Sequence, residues 1–379
     1  MKKVLIFYAS YGGGHLNAAK SINEYILANY KNIDIELIDC MKYVNKTIEK
    51  VSTIAYRELA KKAPWVWGRI YNDSQKGPVA HISSRSNKVL AIKLLRLLRE
   101  KQPDLIISTH PFGSQMCSYL KMKGKITAKI ATILTDFAPH DQWLIGSDFT
   151  DYYFVANDKM KTYLTHKKIS ENKVFVTGIP LSSKFLQNHD NDQTLDEFNL
   201  KKDKKNILFF GGGEFGLGKT KTFEIFEAFI KNCSDMQIVA IAGKNEKMKL
   251  AFEQIVEKYN AKSYVRILGF TDKIPELMSI SDLVVTKPGG MTTTESLASK
   301  LPMIVINPIP GQEEENAEFL ENHGVAIWIK KQTNISEVIK DLFSTPEKLE
   351  IMKKNSELLA HPHSTQNICD ILLKTTSNT

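Results

Sequence analysis

A strand, a tight turn and a helix follow one another in Ser281-Asp282-Leu283-Val284-Val285-Thr286-Lys287-Pro288-Gly289-Gly290-Met291-Thr292-Thr293-Thr294-Glu295. The apolar, β-branched residues at 283–286 predict a short buried strand. The two glycines allow backbone to come close to a ligand because they carry no side chain. The free N–H groups at the start of the following helix favour an anion. The stretch therefore predicts an anion-binding strand–turn–helix unit.

Glu295 adds a second feature to this unit, because it lies in the first turns of the same helix. A carboxylate does not help to bind phosphate, but it can accept two hydrogen bonds from a ribose diol, as in dinucleotide-binding folds. The local chemistry indicates a nucleotide diphosphate with its sugar. The alternative from these residues alone is an ordinary strand–turn–helix connection with capping threonines.

Strands and helices alternate along the rest of the chain. Predicted strands lie at 3–9, 33–39, 104–108, 129–134, 152–155, 174–177, 206–210, 237–242, 264–268, 283–286 and 303–307. Helical patterns follow most of them, which predicts an α/β protein with parallel, doubly wound sheets. We predict a first domain at 1–180, a polar linker at 181–205, a second domain at 206–360 and a C-terminal helix at 361–379 that crosses back to the first domain.

The composition is typical of a globular protein with two domains. Of 379 residues, 42% are apolar and 25% are charged, and no run of 18 apolar residues could span a bilayer. The basic, apolar N-terminus leads directly into a glycine loop, so we interpret it as the first strand rather than a signal peptide. The four cysteines show no metal-ligand spacing, which fits reduced thiols in a cytosolic protein.

Charge is distributed unevenly along the chain. The first 190 residues carry 28 basic and 16 acidic side chains, a net +12, whereas the remainder carries 23 and 26, a net −3. The basic half therefore has the stronger affinity for an anionic surface. Within it, Trp65, Trp67 and Arg69 combine interfacial aromatics with positive charge, as in membrane-binding segments; the alternative is that this segment packs on the sheet. A leucine-rich helix around Leu90–Leu98 with Lys93 and Arg96 has two interpretations, a membrane-binding surface or a helix packed on the sheet.

Several motifs resemble those of one enzyme family. The resemblance rests on the 287–295 motif, on Pro310-Gly311-Gln312-Glu313-Glu314-Glu315-Asn316, on the 9–15 loop, on Thr135-Asp136-Phe137 through His140 and Trp143, and on Val176-Thr177-Gly178-Ile179-Pro180. The family is that of diacylglycerol glucosyltransferases and monogalactosyldiacylglycerol synthases, which are related to the N-acetylglucosaminyltransferase of peptidoglycan precursor synthesis. The resemblance implies a GT-B fold, two Rossmann-like domains with an interdomain cleft.

The same resemblance implies the reaction and its partners. The expected activity is transfer of a hexose from a UDP-sugar to the free hydroxyl of 1,2-diacylglycerol with inversion at the anomeric carbon. Glucose is favoured over galactose as the sugar. The expected location is cytoplasmic, at an anionic lipid surface on the inner face of the cell membrane. No cofactor or metal is expected, because helix N-termini and glycine loops can hold the departing diphosphate, and no nucleic acid is expected as a partner.

The resemblance also implies a set of site residues. Glu295 would hold the ribose, Gln312 and Glu313 the hexose hydroxyls, and Asn316 would brace that loop, while Gly269 and Phe270 would contact the uracil edge. Further donor-binding residues are Gly14, Gly212, Gly213, Gly289, Gly290, Thr292 and Thr293, and His140 and Trp143 would shape the acceptor site.

Two residues are candidates for the general base. His15 is favoured, because a helix N-terminus disfavours the cationic imidazole and proton abstraction needs the neutral one. Asp136 is the second candidate. The alternative for His15 is a residue that only binds phosphate or a lipid headgroup.

A rival pattern occurs at Gly213-x4-Gly218-Lys219-Thr220, which satisfies the P-loop consensus. A P-loop nucleoside triphosphatase also needs a magnesium-binding carboxylate at the end of a later strand, and no later strand ends in one. A basic nucleic-acid-binding protein is the non-enzymatic alternative, but no recognition motif supports it. The glycosyltransferase interpretation is therefore preferred.

Overall fold

The computed structural model describes residues 1–10, 13–44, 66, 78–212 and 219–374, with only the backbone described at 78–89 and 219. The chain forms two compact units. Unit 1 contains Met1–Ser183, Pro310–Gln312 and His361–Thr379, and unit 2 contains Lys184–Ile309 and Glu313–Ala360.

Unit 1 is built on a six-stranded parallel sheet in the order β2-β1-β3-β4-β5-β6. Its central strands are short apolar runs buried on both faces, as parallel strands covered by helices must be, whereas the edge strands β2 and β6 are only partly buried. They are β1 (Lys2–Tyr8), β2 (Ile33–Asp39), β3 (Leu105–Ser108), β4 (Lys129–Ile133), β5 (Tyr152–Val155) and β6 (Val174–Val176). The helices are α1 (Gly13–Asn29), α2 (Pro78–Lys101), α3 (Pro111–Met122) and α4 (Asp158–His166), joined at the end of the chain by α13 (Ser364–Leu373).

Helix α2 covers one face of this sheet. Leu90, Ala91, Leu94, Leu97 and Leu98 are all buried and pack with Phe7, Ile106 and the apolar side of α3. The leucine stripe is therefore part of the hydrophobic core, and the membrane interpretation of that stripe is wrong. A 3.6-residue apolar period indicates a buried face, but it does not say whether protein or lipid buries it.

Helices α1 and α13 cover the other face. Ile22 and Ile26 of α1 share a core with Ile368, Cys369 and Leu372 of α13. The Thr365 hydroxyl at the start of α13 accepts a hydrogen bond from the Leu181 N–H (2.9 Å) and lies 2.6 Å from the Leu181 carbonyl oxygen. The last helix is thus an integral layer of unit 1.

Unit 2 contains a second parallel sheet in the order β12-β11-β10-β7-β8-β9. Its strands are β7 (Asn206–Phe210), β8 (Gln237–Ile241), β9 (Val265–Leu268), β10 (Leu283–Thr286), β11 (Met303–Val305) and β12 (Ala326–Trp328). Its helices are α5 (Asn191–Glu197), α6 (Lys219–Asn232), α7 (Glu246–Lys258), α8 (Ile274–Ser279), α9 (Gly290–Ala298), α10 (Gln312–Asn322), α11 (Ile335–Ser344) and α12 (Pro346–Leu359).

Strand order reverses between β7 and β10, the two central strands of this sheet. The chain runs from β7 outward to β8 and β9, and then returns to β10 before continuing to β11 and β12. Loops that leave the carboxyl ends of two such strands diverge to opposite sides and open a crevice, where doubly wound folds bind ligands. The Lys287–Gly290 turn and Gly212 lie at this point of reversal.

Two parts of the structure differ from the sequence prediction. β12 was not predicted, because three residues at a sheet edge carry too little apolar pattern. The predicted polar linker at 181–205 holds a 3-10 turn (Ser183–Leu186) and helix α5, and the unit boundary lies between Ser183 and Lys184. Asp190 begins α5 by accepting a hydrogen bond from the Gln193 N–H (3.0 Å).

Three general findings apply to the described part of the chain. None of the helices described there has the length and apolar character needed to cross a membrane. The described ranges hold no cluster of three or more His, Cys, Asp or Glu side chains that could bind a metal ion. All four cysteines are free and buried.

Candidate functional site

The carboxyl edge of the unit 2 sheet collects most of the predicted donor-binding residues. Gly212 follows β7, Gly269 and Phe270 follow β9, and Gly289 and Gly290 follow β10. Because all six strands are parallel, these loops leave the same edge of one sheet. The structure therefore brings together residues that lie as far apart in sequence as Gly212 and Gly290.

The start of α9 provides backbone donors at this edge. Gly289 is the residue before the helix, and the first intrahelical bond runs from the Thr293 N–H to the Gly289 carbonyl (2.9 Å). The N–H groups of Gly290, Met291 and Thr292 precede that bond, so they have no acceptor within the helix. Three N–H groups and the positive end of the helix dipole thus favour an anion here.

The side chain of Thr293 is buried in the protein, although Thr293 was predicted to bind the donor. Its N–H is used within α9, and its hydroxyl is fully buried without a hydrogen-bond partner among the described residues. Thr292, by contrast, is half-buried and lies three residues before the half-buried Glu295. Residues three apart share one helical face, so Thr292 and Glu295 form the accessible stripe of this helix.

Glu295 is a desolvated carboxyl group. Burial raises its pKa to about 8, and no side chain in the described part of the chain donates a hydrogen bond to it. An ionised carboxyl in such surroundings is costly unless it accepts hydrogen bonds. A ligand with two adjacent hydroxyl groups would supply them.

Side chains from the first two turns of α10 lie against the turn after β10. The Ile309 N–H donates to Oε2 of Glu313 (2.6 Å), and a Cβ atom on Gly289 would lie 4.0 Å from Oε1 of the same carboxyl. Asn316 is fully buried and its Nδ2 donates to the Pro288 carbonyl (2.9 Å). Asn316 thus braces the turn after β10, whereas the bracing of the 310–316 loop by Asn316 stays a prediction. It acts through the backbone rather than by facing a ligand.

Lys287 was not predicted as a site residue, although it lies inside the motif. Its side chain is half-buried, and its Cε lies 3.5 Å from the position that a Cβ on Gly212 would take. Gly212 has φ of +97°, which favours glycine at that point. Burial lowers the pKa of Lys287, and the charge of Glu313 partly opposes that shift. A cation therefore lies beside the glycine turn after β7.

The remaining donor residues have simpler surroundings. Phe270 is 70% exposed, and the Lys244 ammonium lies 5.1 Å from the centre of its ring. Gly269 lies against Gly243, since a Cβ there would be 3.7 Å from the Gly243 carbonyl oxygen. Gln312 is the first residue of α10 and is half-buried. Gly213 lies outside the described residues, as does most of the P-loop pattern, whose last two residues, Lys219 and Thr220, begin α6.

A second group of polar side chains lies in unit 1 around His15, the third residue of α1. The Nδ1 atom of His15 is 2.6 Å from the Thr109 carbonyl oxygen and 3.1 Å from the Thr135 hydroxyl. The Thr109 hydroxyl donates to the His15 carbonyl oxygen (2.8 Å). His110 packs edge-on against His15 with ring centres 4.6 Å apart, and the Trp143 ring lies 6.4 Å away.

These contacts define the protonation state of His15. A carbonyl oxygen only accepts, so Nδ1 carries the proton and Nε2 keeps its lone pair. Burial lowers the pKa of His15 to about 4, with the Thr109 carbonyl opposing the shift. Burial also places the pKa of His110 well below its usual value, and the nearby His15 adds to that effect. His15 is therefore a neutral, oriented imidazole at neutral pH.

The other predicted unit 1 residues are placed as follows. Asp136 is half-buried, directly after Thr135. His140 is buried and begins a 3-10 turn, where its Nδ1 accepts from the Gln142 N–H (3.1 Å), and Trp143 is buried in that turn. Gly14 is half-buried beside His15 in the first turn of α1. Trp65, Trp67 and Arg69 lie outside the described residues.

Comparisons with known proteins cover both units. The family described as monogalactosyldiacylglycerol (MGDG) synthase matches residues 15–181, and the glycosyltransferase family 28 C-terminal domain matches residues 207–368. A processive diacylglycerol beta-glucosyltransferase of Bacillus licheniformis is 30% identical over 375 residues, covering 97% of this chain and 93% of the relative. The chain belongs to the diacylglycerol glucosyltransferase family. A relative of the same name from Staphylococcus saprophyticus is also 30% identical, covering 98% of this chain and 92% of its own length.

Solved structures agree with this family assignment at the level of fold. A UDP complex of MnaA from S. aureus superposes with a TM-score of 0.67 at 14% identity, covering 100% of this chain and 98% of the other. MurG from Acinetobacter baumannii superposes with a TM-score of 0.64 at 16% identity, covering 99% of this chain and 100% of the other. Together with the two parallel six-stranded sheets, this confirms the predicted GT-B class for this glucosyltransferase family member.

Sequence reasoning missed three residues of the two sites: Thr109, His110 and Lys287. Each of them follows the carboxyl end of a central parallel strand, β3 or β10. That position alone could have drawn attention to them, since ligands of doubly wound sheets bind at this edge. Their contacts with His15 and Gly212 depend on tertiary structure and are not visible in the sequence.

Proposed function

We propose that this protein transfers a hexose from a UDP-sugar to the free hydroxyl of 1,2-diacylglycerol and inverts the anomeric centre. Its curated relatives are named processive diacylglycerol beta-glucosyltransferases, which supports glucose as the sugar. The match of the first half to MGDG synthases keeps galactose as the alternative. The names of the relatives also support addition of more than one sugar.

The proposal depends on one observation: helix α9 carries both an anion-binding N-terminus and the desolvated carboxyl group of Glu295. The N–H groups of Gly290–Thr292 suit a diphosphate, and Glu295 suits the ribose diol beside it. A nucleoside diphosphate carries both groups at such close spacing. The exposed Phe270 offers an aromatic surface for the base at the same sheet edge.

For the transfer step, we assign His15 as the general base, with Asp136 as the second candidate. The acceptor oxygen attacks the anomeric carbon, its proton passes to Nε2 of His15, and the bond to the β-phosphate oxygen breaks with its electron pair on the departing UDP. The Thr109 carbonyl holds Nδ1–H and would stabilise the imidazolium that forms. The low pKa of His15 makes it a neutral but weak base, so an acceptor oxygen held against Nε2 is essential.

The acceptor remains in a bilayer, so the enzyme must work as a peripheral membrane protein. The +12 charge of the first 190 residues supports binding to an anionic leaflet, which the inner face of the cell membrane provides. Trp65, Trp67 and Arg69 are the residues that we assign to this surface. Lysine and arginine would add attraction that salt screens, whereas tryptophan would add binding that salt leaves unchanged.

The test is a transfer assay with the full chain. Vesicles containing diacylglycerol are incubated with UDP-glucose or UDP-galactose, and the lipid products are separated by chromatography and analysed by mass. We expect a glucosyl-diacylglycerol first and larger products later. Absence of any glycolipid with either donor would refute the proposal, and product with UDP-galactose alone would correct the sugar.

A further inference from the structure

His110 lies where the strand order of the unit 1 sheet reverses. The chain runs from β1 to the edge strand β2 and then returns to β3, on the other side of β1. Doubly wound sheets bind ligands at such a reversal, outside the carboxyl ends of the two strands. His15 follows β1 and His110 follows β3, and the centres of their rings are 4.6 Å apart. The two imidazoles therefore meet at the position where unit 1 should bind a ligand.

The turn after β3 holds the His110 ring in one orientation. Its Nδ1 accepts a hydrogen bond from the Phe112 N–H (3.2 Å), so His110 caps the N-terminus of α3. The Phe112 ring packs against the imidazole with ring centres 4.7 Å apart. The Ser108 hydroxyl donates to the His110 carbonyl oxygen (2.7 Å), which fixes the backbone of the turn. His110 is thus a buried ring with a defined orientation.

The same turn contacts His15 in two ways. The Thr109 carbonyl oxygen lies 2.6 Å from Nδ1 of His15, and the ring of the next residue, His110, packs edge-on against His15 at an interplanar angle of 78°. The terminal torsion of a histidine side chain has broad energy wells, so one hydrogen bond leaves the ring some rotation. A perpendicular ring beside it restricts that rotation. The Thr109 carbonyl selects the nitrogen that carries the proton, and His110 limits where Nε2 can point.

His110 is also uncharged, as a neighbour of the general base must be. A neutral imidazole that accepts a hydrogen bond at Nδ1 carries its single proton on Nε2. Burial keeps the pKa of His110 well below its usual value, so the ring stays neutral. When His15 takes a proton it becomes a cation, and a second cation beside it would disfavour that step. A neutral His110 does not.

Capping of α3 alone would not require a histidine. Asparagine, aspartate and serine are the preferred capping residues, and none of them places a ring in the core. The imidazole adds contacts with His15 and Phe112 that a cap does not need. These additional contacts indicate a second role for the ring.

We propose that His110 is a positioning residue for the transfer reaction, whose ring holds the His15 imidazole so that Nε2 faces the acceptor hydroxyl. This inference rests on the proposed function, because it takes His15 as the general base. The acceptor proton passes to Nε2 of His15, and His110 neither gains nor loses a proton. A general base must lie within hydrogen-bond reach of the proton that it removes, so a His15 ring that rotates away loses rate.

Two variants separate the ring of His110 from its cap. His110→Asn keeps an acceptor for the Phe112 N–H but removes the ring. It should lower kcat by about 10- to 100-fold, as expected when a catalytic group is misplaced by about 1 Å, without changing the affinity for UDP-glucose. His110→Phe keeps a ring beside His15 but removes the cap, so it should retain most of kcat and mainly lower the melting temperature.

The assay measures kcat of the full chain on vesicles that contain diacylglycerol, with UDP-glucose as the donor. His166→Asn is the matched control, because His166 is exposed at the end of α4 in the same unit and should change neither kcat nor affinity. Circular dichroism and thermal melts check that each variant folds. If His110→Asn does not fold, His110→Ser, which also keeps a capping oxygen, takes its place.

A double-mutant cycle tests whether His110 acts through His15. His15→Ala leaves no base to position, so adding His110→Asn should change the residual kcat by less than about 2-fold. A residue that only stabilises the fold would lower kcat by the same factor in both backgrounds. The cycle therefore distinguishes a positioning role from a structural one.

The outcomes separate this inference from the proposed function. Wild-type kcat in a folded His110→Asn or His110→Ser variant would overturn the role of the ring, and so would equal losses of kcat in folded His110→Asn and His110→Phe. The same loss from His110→Asn with and without His15→Ala would show that His110 does not act through His15. Absence of glycolipid from the wild-type chain would instead refute the proposed function itself.

Discussion

Donor binding should depend on pH through Glu295. Burial raises the pKa of this carboxyl to about 8, so most molecules carry it protonated at pH 7. A ribose diol donates two hydrogen bonds, which favours the ionised form. UDP-glucose should therefore bind with release of about one proton at pH 7, as linkage requires.

The size of the effect follows from the pKa. With a value of about 8, about half of the carboxyls are ionised at pH 8 and about one in a hundred at pH 6. The affinity for UDP-glucose should then fall about 50-fold, or about 2 kcal/mol, from pH 8 to pH 6. UDP-glucose is the suitable ligand because its diphosphate has no proton that titrates in this range. His15, with a pKa of about 4, does not titrate there either.

Calorimetric titrations in buffers of different ionisation enthalpy measure both the affinity and the proton count. Glu295→Gln should bind donor more weakly at pH 8 and show no pH dependence or proton release between pH 6 and pH 8.

The same carboxyl should affect folding. Because its pKa is higher in the folded than in the unfolded chain, the free energy of unfolding decreases as pH rises from about 4.5 toward about 8. Glu295→Gln should therefore raise the melting temperature much more at pH 8 than at pH 5.

Two results would refute this reasoning. A pH dependence that persists unchanged in Glu295→Gln would assign the proton to another group, such as the desolvated Glu313. A wild-type affinity that is constant from pH 6 to pH 8 would mean that Glu295 either is ionised without ligand or does not contact the donor.

Three further predictions concern unit 1. In a steady-state assay, His15→Ala should lower kcat by about 10²- to 10⁴-fold with little change in UDP-glucose affinity. Asp136→Asn should lower kcat less. If Asp136→Asn has the larger effect, Asp136 is the general base and His15 is not. Leu94→Ala should destabilise the protein by about 2–5 kcal/mol in urea unfolding without changing vesicle binding, because Leu94 is fully buried. Trp65→Ala with Trp67→Ala should remove the vesicle binding that persists at high salt, and a double variant that unfolds would place both residues in a core.

The sequence was informative where one physical rule dominates. The central strands could be placed because parallel strands covered on both faces are apolar throughout, as Leu283–Thr286 illustrates. The helix start at Gly290 followed from the glycine turn. Position in sequence could not show that the hydroxyl of Thr293 faces inward while Thr292 lies on the accessible stripe, since that depends on how α9 rotates against the sheet.

Tertiary contacts explain the rest of the site. Nothing in the sequence pairs His15 with Thr109, 94 residues later, because β1 and β3 become neighbours only in the folded sheet. Likewise, the leucine stripe of α2 has the same periodicity whether it meets lipid or the apolar side of α3. Patterns that describe one element at a time could not choose between these partners.

The return of the chain to unit 1 at His361 has a consequence for synthesis on the ribosome. The core of unit 1 lacks Ile368, Cys369, Leu372 and Leu373 until α13 has been synthesised. Unit 2 ends at Ala360, so its own core is complete earlier, although it is encoded later than most of unit 1. During translation part of one apolar face of the N-terminal sheet, the part that α1 does not cover, must therefore remain exposed, and chaperones bind such surfaces.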